Sequence, residues 1–503
     1  MQEHAPVDDH GIGRLQVVWT RPDHPGRLTA FSASSSQHRS ARRNSDASLR
    51  LLGILAHPSL RPPGLGRLDY ALGMLEIIDG RAQKSPVHIL RPRPLGRGAQ
   101  PEETVRQIVE DVRLKGDEAV LAYTAQFDGA RLSPEQLRVD PGEIARSRSL
   151  VRPELIEALE VMAEKLRSTC ERQVDEGWFD ERPDEFVGEV VRPLRRVGIY
   201  VPGGRASYPS SVIMGTVPAQ VAGVEGIVVC SPPGRGGKVS EATLAACAVV
   251  GIDEVYRAGG AQGIAALAYG TASIRPVDKI VGPGNIYVTL AKRRVSGWVG
   301  VDADAGPTEL AIVAGAGAVA REIAADLVAQ AEHGPLGAHV LITWLPELVD
   351  EVVAALDHEV MVHARADDVE SALTEGGQAV LVADLDHALA TADAFAPEHL
   401  ELIFEGARDA VDRIGNAGSI FVGRFSPVPV GDYVGGTNHI LPSGGAARWS
   451  SGLSVRDFVR HIYVSGYERT ALERLAPHID ALSAAEGLPA HGRSVALRLE
   501  DDG

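Results

Sequence analysis

Val197-Gly198-Ile199-Tyr200-Val201-Pro202-Gly203-Gly204 is a short apolar run that stops on a proline and two glycines. Such a run reads as a buried strand ending in a turn. Working outward, the pattern repeats. Gly226-Ile227-Val228-Val229-Cys230 stops before Pro232-Pro233-Gly234, and Glu254-Val255-Tyr256-Arg257 ends at Gly259-Gly260. Lys279-Ile280-Val281 leads into Gly282-Pro283-Gly284-Asn285. Further strand-like runs are Glu309–Ala314, His339–Thr343, Ala379–Ala383 and Ser419–Val422, with Ala-rich helical stretches such as 240–250 between them. Strands alternating with helices imply parallel sheets covered on both faces. Two such α/β halves fit between about 195 and 425. Upstream, 101–125 has helical spacing at Val105, Ile108, Val109, Val112 and Val120, and a second helix is expected over 152–176. The last 60 or so residues read as mostly helical, a separate arm.

At 503 residues the chain has room for roughly two to four domains. Its net charge of −17 argues against a nucleic-acid footprint, which needs a basic face. No apolar run reaches the length of a membrane span. Cys170, Cys230 and Cys247 have no C-x-x-C spacing, so a reducing cytoplasm is expected. Residues 1–73 differ from the rest. They are rich in Ser, Pro, Gly and Arg, lack lysine, and hold nine arginines against six acidic residues. Either this segment is disordered, or translation begins at Met74, which opens a strand-like Met74-Leu75-Glu76-Ile77-Ile78.

Several constellations carry chemistry. Pro397-Glu398-His399-Leu400 sets a carboxylate beside an imidazole, two proton-transfer groups at one site, although such a dipeptide is also common on solvated edges. Gln330-Ala331-Glu332-His333 closes a helical pattern from Val319. Gln330 and His333 then share a face and offer an amide oxygen and an imidazole to a metal; alternatively, His333 meets the helix dipole. Gly431-Asp432-Tyr433 opens a Gly-rich loop running to Thr437-Asn438-His439, a binding loop or an ordinary turn. Gly282-Pro283-Gly284-Asn285 permits close backbone approach to a ligand. The dinucleotide fingerprint G-x-G-x-x-G does not occur in strand–turn–helix context, so pattern alone does not reveal a nicotinamide enzyme. Glu486…Ala490-His491 reads by itself as a surface tail. Cys230 is the one thiol near these motifs, and a buried core residue is its better reading.

Together these stretches, with Gly259-Gly260-Ala261-Gln262 and Ala305-Gly306-Pro307-Thr308-Glu309, resemble the histidinol dehydrogenase family from about 100 to 497. The resemblance implies two Rossmann-like α/β domains with parallel sheets, and helical N- and C-terminal segments forming an intertwined dimer arm. Its domains would be an N-terminal helical segment at 74–195, α/β domains at 196–330 and 331–430, and an active-site loop and dimer arm at 431–503. It implies zinc- and NAD-dependent oxidation of L-histidinol to L-histidine through the aldehyde, in a cytoplasmic homodimer. By resemblance, Gln330, His333, Asp432 and His491 match the zinc ligands, and Glu398 and His399 the catalytic pair. Thr308 and Glu486, with His399 and the metal ligands, match substrate contacts. Tyr200, Gln262 and Asn285 match NAD contacts. Glu486 and His491 would reach a partner's site. Thr308 stands where the family commonly has Ser; the hydroxyl is kept.

On this reading His399 serves as base for both proton shuttles and Glu398 activates water for the second step. Rival readings are a zinc dehydrogenase of another small alcohol, such as a sulfonated diol, a zinc hydrolase using Glu398, and a silent binding protein.

Overall fold

In a computed structural model of the chain, residues 66–67, 73–88, 99–203, 207–302 and 306–500 are described. The expectation of disorder over 1–73 falls outside them, except at Gly66–Arg67 and Gly73. Two parallel sheets dominate. The five-stranded sheet runs Val255–Arg257, Gly226–Ser231, Arg196–Tyr200, Lys279–Val281, Gly300–Val301, all parallel. The seven-stranded sheet runs Gly66–Arg67, Glu76–Asp79, Gly377–Leu381, Ala338–Thr343, Glu309–Ala314, His399–Ile403, Ser419–Val422. Only its first pair is antiparallel. Numbered from its own first crossover strand, each sheet has the doubly wound order 3-2-1-4-5, and the order reverses beside Arg196–Tyr200 and beside Glu309–Ala314.

The strands are apolar because helices cover both faces. Every residue of Glu309–Ala314, Ala338–Thr343 and His399–Ile403 is buried. Each buried Val, Leu or Ile contributes roughly 1.5–3 kcal/mol relative to exposure. Leu310, Ile312 and Leu341 form one face of the seven-stranded sheet, packed with Ile323 and Leu327 of the helix Ala320–Ala331, and Val313, Val340, Ile342 and Leu400 the other. Ala99–Lys115 packs through Val105, Ile108 and Val109 on the helices Gly260–Tyr269 and Ile286–Val295, and Pro153–Glu171 through Leu159, Met162 and Leu166 on Pro209–Val221 and Glu241–Val249, the helices that flank the five-stranded sheet.

Several expected boundaries move. The helix expected over 101–125 is two, because Gly116 at φ 58 ends Ala99–Lys115 before Asp117–Phe127. The 74–195 segment is not purely helical: Glu76–Asp79 joins the seven-stranded sheet, and Trp178–Arg182 and Glu185–Pro193 form an antiparallel sheet with Val459–Tyr467. A domain division at 330/331 would part Glu309–Ala314 from its neighbour Ala338–Thr343. The helix Ala320–Ala331 is the crossover between those parallel strands, so the break between sheets falls between Val301 and Glu309. The C-terminal arm starts with the strand Val459–Tyr467, then the helices Arg469–Ala485 and Pro489–Leu499. No helix among the described residues is long and apolar enough to cross a membrane.

Candidate active site

A cavity of about 1060 Å³ lies where the two reversal points meet. From the five-stranded sheet it takes Tyr200, Gly203, Gly282–Asn285 and Asp302, which follow strand ends. From the seven-stranded sheet it takes Thr308, Glu398 and His399, which stand where strands begin. Asp432 and His439 close it. Asp432 belongs to the short helix Val428–Tyr433 rather than to an open loop. His333 lies two residues past the helix that ends at Ala331, in the following turn, so it does not share a helix face with Gln330.

Two of these residues, Thr308 and Glu398, join one hydrogen-bonded chain with Gln330 and the Glu309 backbone, which do not line the cavity. Gln330, 2 % exposed, donates its amide N–H to Thr308 Oγ1, and Thr308 donates to Glu398 Oε2 at 2.7 Å. The Glu309 backbone N–H donates to the same Oε2 at 3.0 Å. Glu398 Oε1 and the Gln330 amide oxygen are thereby left as open acceptors. Burial pushes the Glu398 carboxyl up to about 7, against the pull of the Thr308 and Glu309 hydrogen bonds.

The imidazoles share a second pattern. His399 Nδ1 faces the Glu309 carbonyl at 3.1 Å, His333 Nδ1 the Ala329 carbonyl at 3.2 Å, and His439 Nδ1 the Asp432 carbonyl at 2.9 Å. A carbonyl only accepts, so in the neutral form of each ring Nδ1 carries the proton and Nε2 the lone pair. His399 Nε2 is buried without a hydrogen-bond partner among the described residues, 3.8 Å from Asp432 Oδ1. Burial lowers the His399 pKa, an effect the Asp432 carboxylate opposes, so the ring is neutral at neutral pH. Burial also lowers His439 to about 4 and raises Asp432. His439 is not among the expected site residues; Thr437-Asn438-His439 is its only signal in the sequence. Behind the site, Glu401 accepts from the Val428 N–H at 2.9 Å, tying the strand that starts with His399 to the helix that carries Asp432.

Three expected residues lie elsewhere. Gln262 is 1 % exposed in the helix Gly260–Tyr269, does not line the cavity, and leaves its Oε1 unpartnered. Its neighbour Gly260 does reach the site, donating its N–H to the Tyr200 hydroxyl at 3.1 Å. Glu486 and His491 are exposed on the C-terminal helices and outside the cavity of their own chain. Burial pushes the Cys230 thiol up to about 12, and it donates to the Ala258 carbonyl, as expected of a core residue. Among the described residues one carboxylate–imidazole trio brings Asp175, in the loop before Trp178–Arg182, beside Glu189 and His461 of the antiparallel sheet, where His461 already pairs with Glu189 at 2.7 Å.

The sequence pattern of the histidinol dehydrogenases matches residues 92–499. Histidinol dehydrogenase 2 of a Nostoc species is 46 % identical over 402 residues, 80 % of this chain and 93 % of that one. The Bacillus subtilis histidinol dehydrogenase is 44 % identical over 397 residues, 79 % and 92 % of the two chains. The crystal structure of histidinol dehydrogenase from Elizabethkingia anophelis superposes with a TM-score of 0.79 at 32 % identity, covering 86 % of this chain and 99 % of that one. The chain is an oxidoreductase and belongs to the histidinol dehydrogenase family.

Proposed function

We propose that this enzyme oxidises L-histidinol to L-histidine in two steps, with zinc and NAD as cofactors, as a cytoplasmic homodimer. The observation that carries the reading is the open donor set beside a poised base. His333 Nε2 and the Asp432 carboxylate are acceptors on one cavity, with His399 Nε2 beside Asp432 and the buried Gln330 amide directly behind Thr308. An amide oxygen, an imidazole held by a backbone carbonyl, and a carboxylate suit a divalent zinc ion that keeps room for a further ligand. His491 of the partner subunit would complete the set, and Glu486 of the partner subunit would meet the substrate ammonium. The antiparallel sheet exposes apolar side chains on both faces, Trp178 and Tyr463 on one and Phe179 and Ile462 on the other, and these offer apolar surface to that partner. Tyr200 and Asn285 would contact the dinucleotide along the five-stranded sheet; Gln262 would act from behind them.

When bound, zinc supplies an anchor for the amino alcohol and the nicotinamide supplies the hydride acceptor. The chain's residues do the proton work. His399 Nε2 takes the hydroxyl proton in the first oxidation. Thr308 and the Glu309 N–H fix one oxygen of Glu398, so Oε1 is the atom that draws a proton from water as it adds to the aldehyde. His399 then accepts the second hydroxyl proton.

The test is NADH formation from L-histidinol, two per substrate and abolished by chelator. A yield with sulfonated diols but not histidinol, or amide hydrolysis without NADH, would redirect the assignment. Subunit sharing is tested by mixing inactive H399N with inactive H491A chains. Hybrid dimers recover activity if His491 serves the partner's site, and stay dead if it serves its own.

A further inference from the structure

Lys292 and Asp302 form an ion pair of 2.6 Å with both side chains 6 % exposed. Burying two charges costs several kcal/mol per ion unless other hydrogen bonds engage them. Here both reach the backbone of one residue. The Gly282 N–H donates to Asp302 Oδ2 at 2.6 Å, and Lys292 Nζ donates to the Gly282 carbonyl. Gly282 has φ +117, and a Cβ there would lie 2.1 Å from the Tyr200 carbonyl oxygen. Only glycine can press this closely against the neighbouring strand. The other end of the turn is also fixed. Asn285 Oδ1 accepts from Tyr287 N at 3.0 Å and Val288 N at 3.3 Å, capping the helix Ile286–Val295 that carries Lys292. With its oxygen engaged, Asn285 offers its amide N–H to the cavity.

We propose that the Lys292–Asp302 pair is a positioning device: by gripping both polar groups of Gly282, it holds the Gly282–Asn285 turn in the shape that receives the dinucleotide. This rests on the reading of the five-stranded sheet as the cofactor wall. The charges serve to shape a turn, so their loss is read in cofactor affinity and leaves the metal and histidinol side untouched.

The experiment compares K292M, the neutral pair K292M/D302N and N285A in the metal-loaded enzyme, measuring KM for NAD, KM for histidinol, metal content and Tm. K292M strands the Asp302 charge, so its Tm falls. In the double variant the amide oxygen introduced by D302N still accepts from the Gly282 N–H, which restores the Tm, but the Gly282 carbonyl has lost its cation. The KM for NAD of the double variant should therefore remain raised about tenfold, the cost of a turn no longer preorganised, with metal content and histidinol KM unchanged. A double variant with wild-type KM for NAD overturns the proposal and leaves the pair as a packing feature. If N285A also keeps the wild-type KM for NAD, the cofactor-wall reading itself fails and takes the inference with it.

Discussion

The two parallel sheets have the same strand order but turn opposite edges to the cavity. The five-stranded sheet offers the ends of its strands, and the seven-stranded sheet their beginnings. The difference decides which helix termini face the ligand. Beyond strand ends stand helix N-termini, here those of Pro209–Val221 and Ile286–Val295, whose N–H groups and dipoles favour phosphate. Beside strand beginnings stand helix C-termini, here that of Ala320–Ala331 with Gln330 in its last turn and His333 just beyond, which favour a cation. One topology used in two orientations thus gives a wall suited to a dinucleotide and a wall suited to a metal and proton chemistry.

That division can be broken by mutation. The largest effect belongs to His399→Asn, with kcat for histidinol expected to fall about 10²- to 10⁴-fold. NAD affinity should hold, and tighter or weaker NAD binding would mean the walls are not separable. Burial holds the His399 pKa below the ordinary imidazole value. The base form therefore persists to lower pH, and the acid limb of kcat/KM should lie below the usual histidine range. Glu398→Gln should stop aldehyde oxidation while alcohol oxidation survives, giving one NADH per histidinol; two would refute its role with water.

Next comes His339, in the second position of Ala338–Thr343, with both ring nitrogens buried and unpartnered among the described residues and its pKa lowered to about 4 by burial. Its folded pKa lies below the unfolded value, so its stabilisation is complete above about pH 6.5 and is lost as pH falls toward 4, about 3 kcal/mol in all. Urea unfolding across that window should show the loss, and His339→Leu should flatten it. Thr308→Val removes the hydroxyl that links Gln330 to Glu398 and should weaken zinc binding about 10- to 100-fold in a competition titration. Thr308→Ser should not. Smallest is Asn285→Ala, expected to raise KM for NAD about tenfold through one lost hydrogen bond and a lost helix cap, with metal content unchanged.

Much of this was legible in the residues. Short β-branched runs ending on glycine and proline marked the strands, because burial on both faces demands apolar sequence and tight turns demand glycine. The loop at Gly282 stood out for its glycines, and the pairing Glu398-His399 for setting two proton-transfer groups side by side. What could not be read was which edge each sheet presents, since that depends on packing between halves. The chain from Gln330 through Thr308 to Glu398 joins side chains up to 90 residues apart and left no local trace. Gln262 matched a family position yet sits behind the wall. Glu486 and His491 looked like a tail because nothing in their own chain surrounds them.

The Glu309 carbonyl that holds His399 Nδ1 has a consequence for timing. It can receive a hydrogen bond but cannot keep a proton, so the imidazole has a single door. Whatever enters at Nε2 must leave by Nε2, past Asp432 and into cavity water. The base is therefore a one-place register that has to be cleared between the two oxidations, and emptying it sets a beat that the second hydride transfer must wait for.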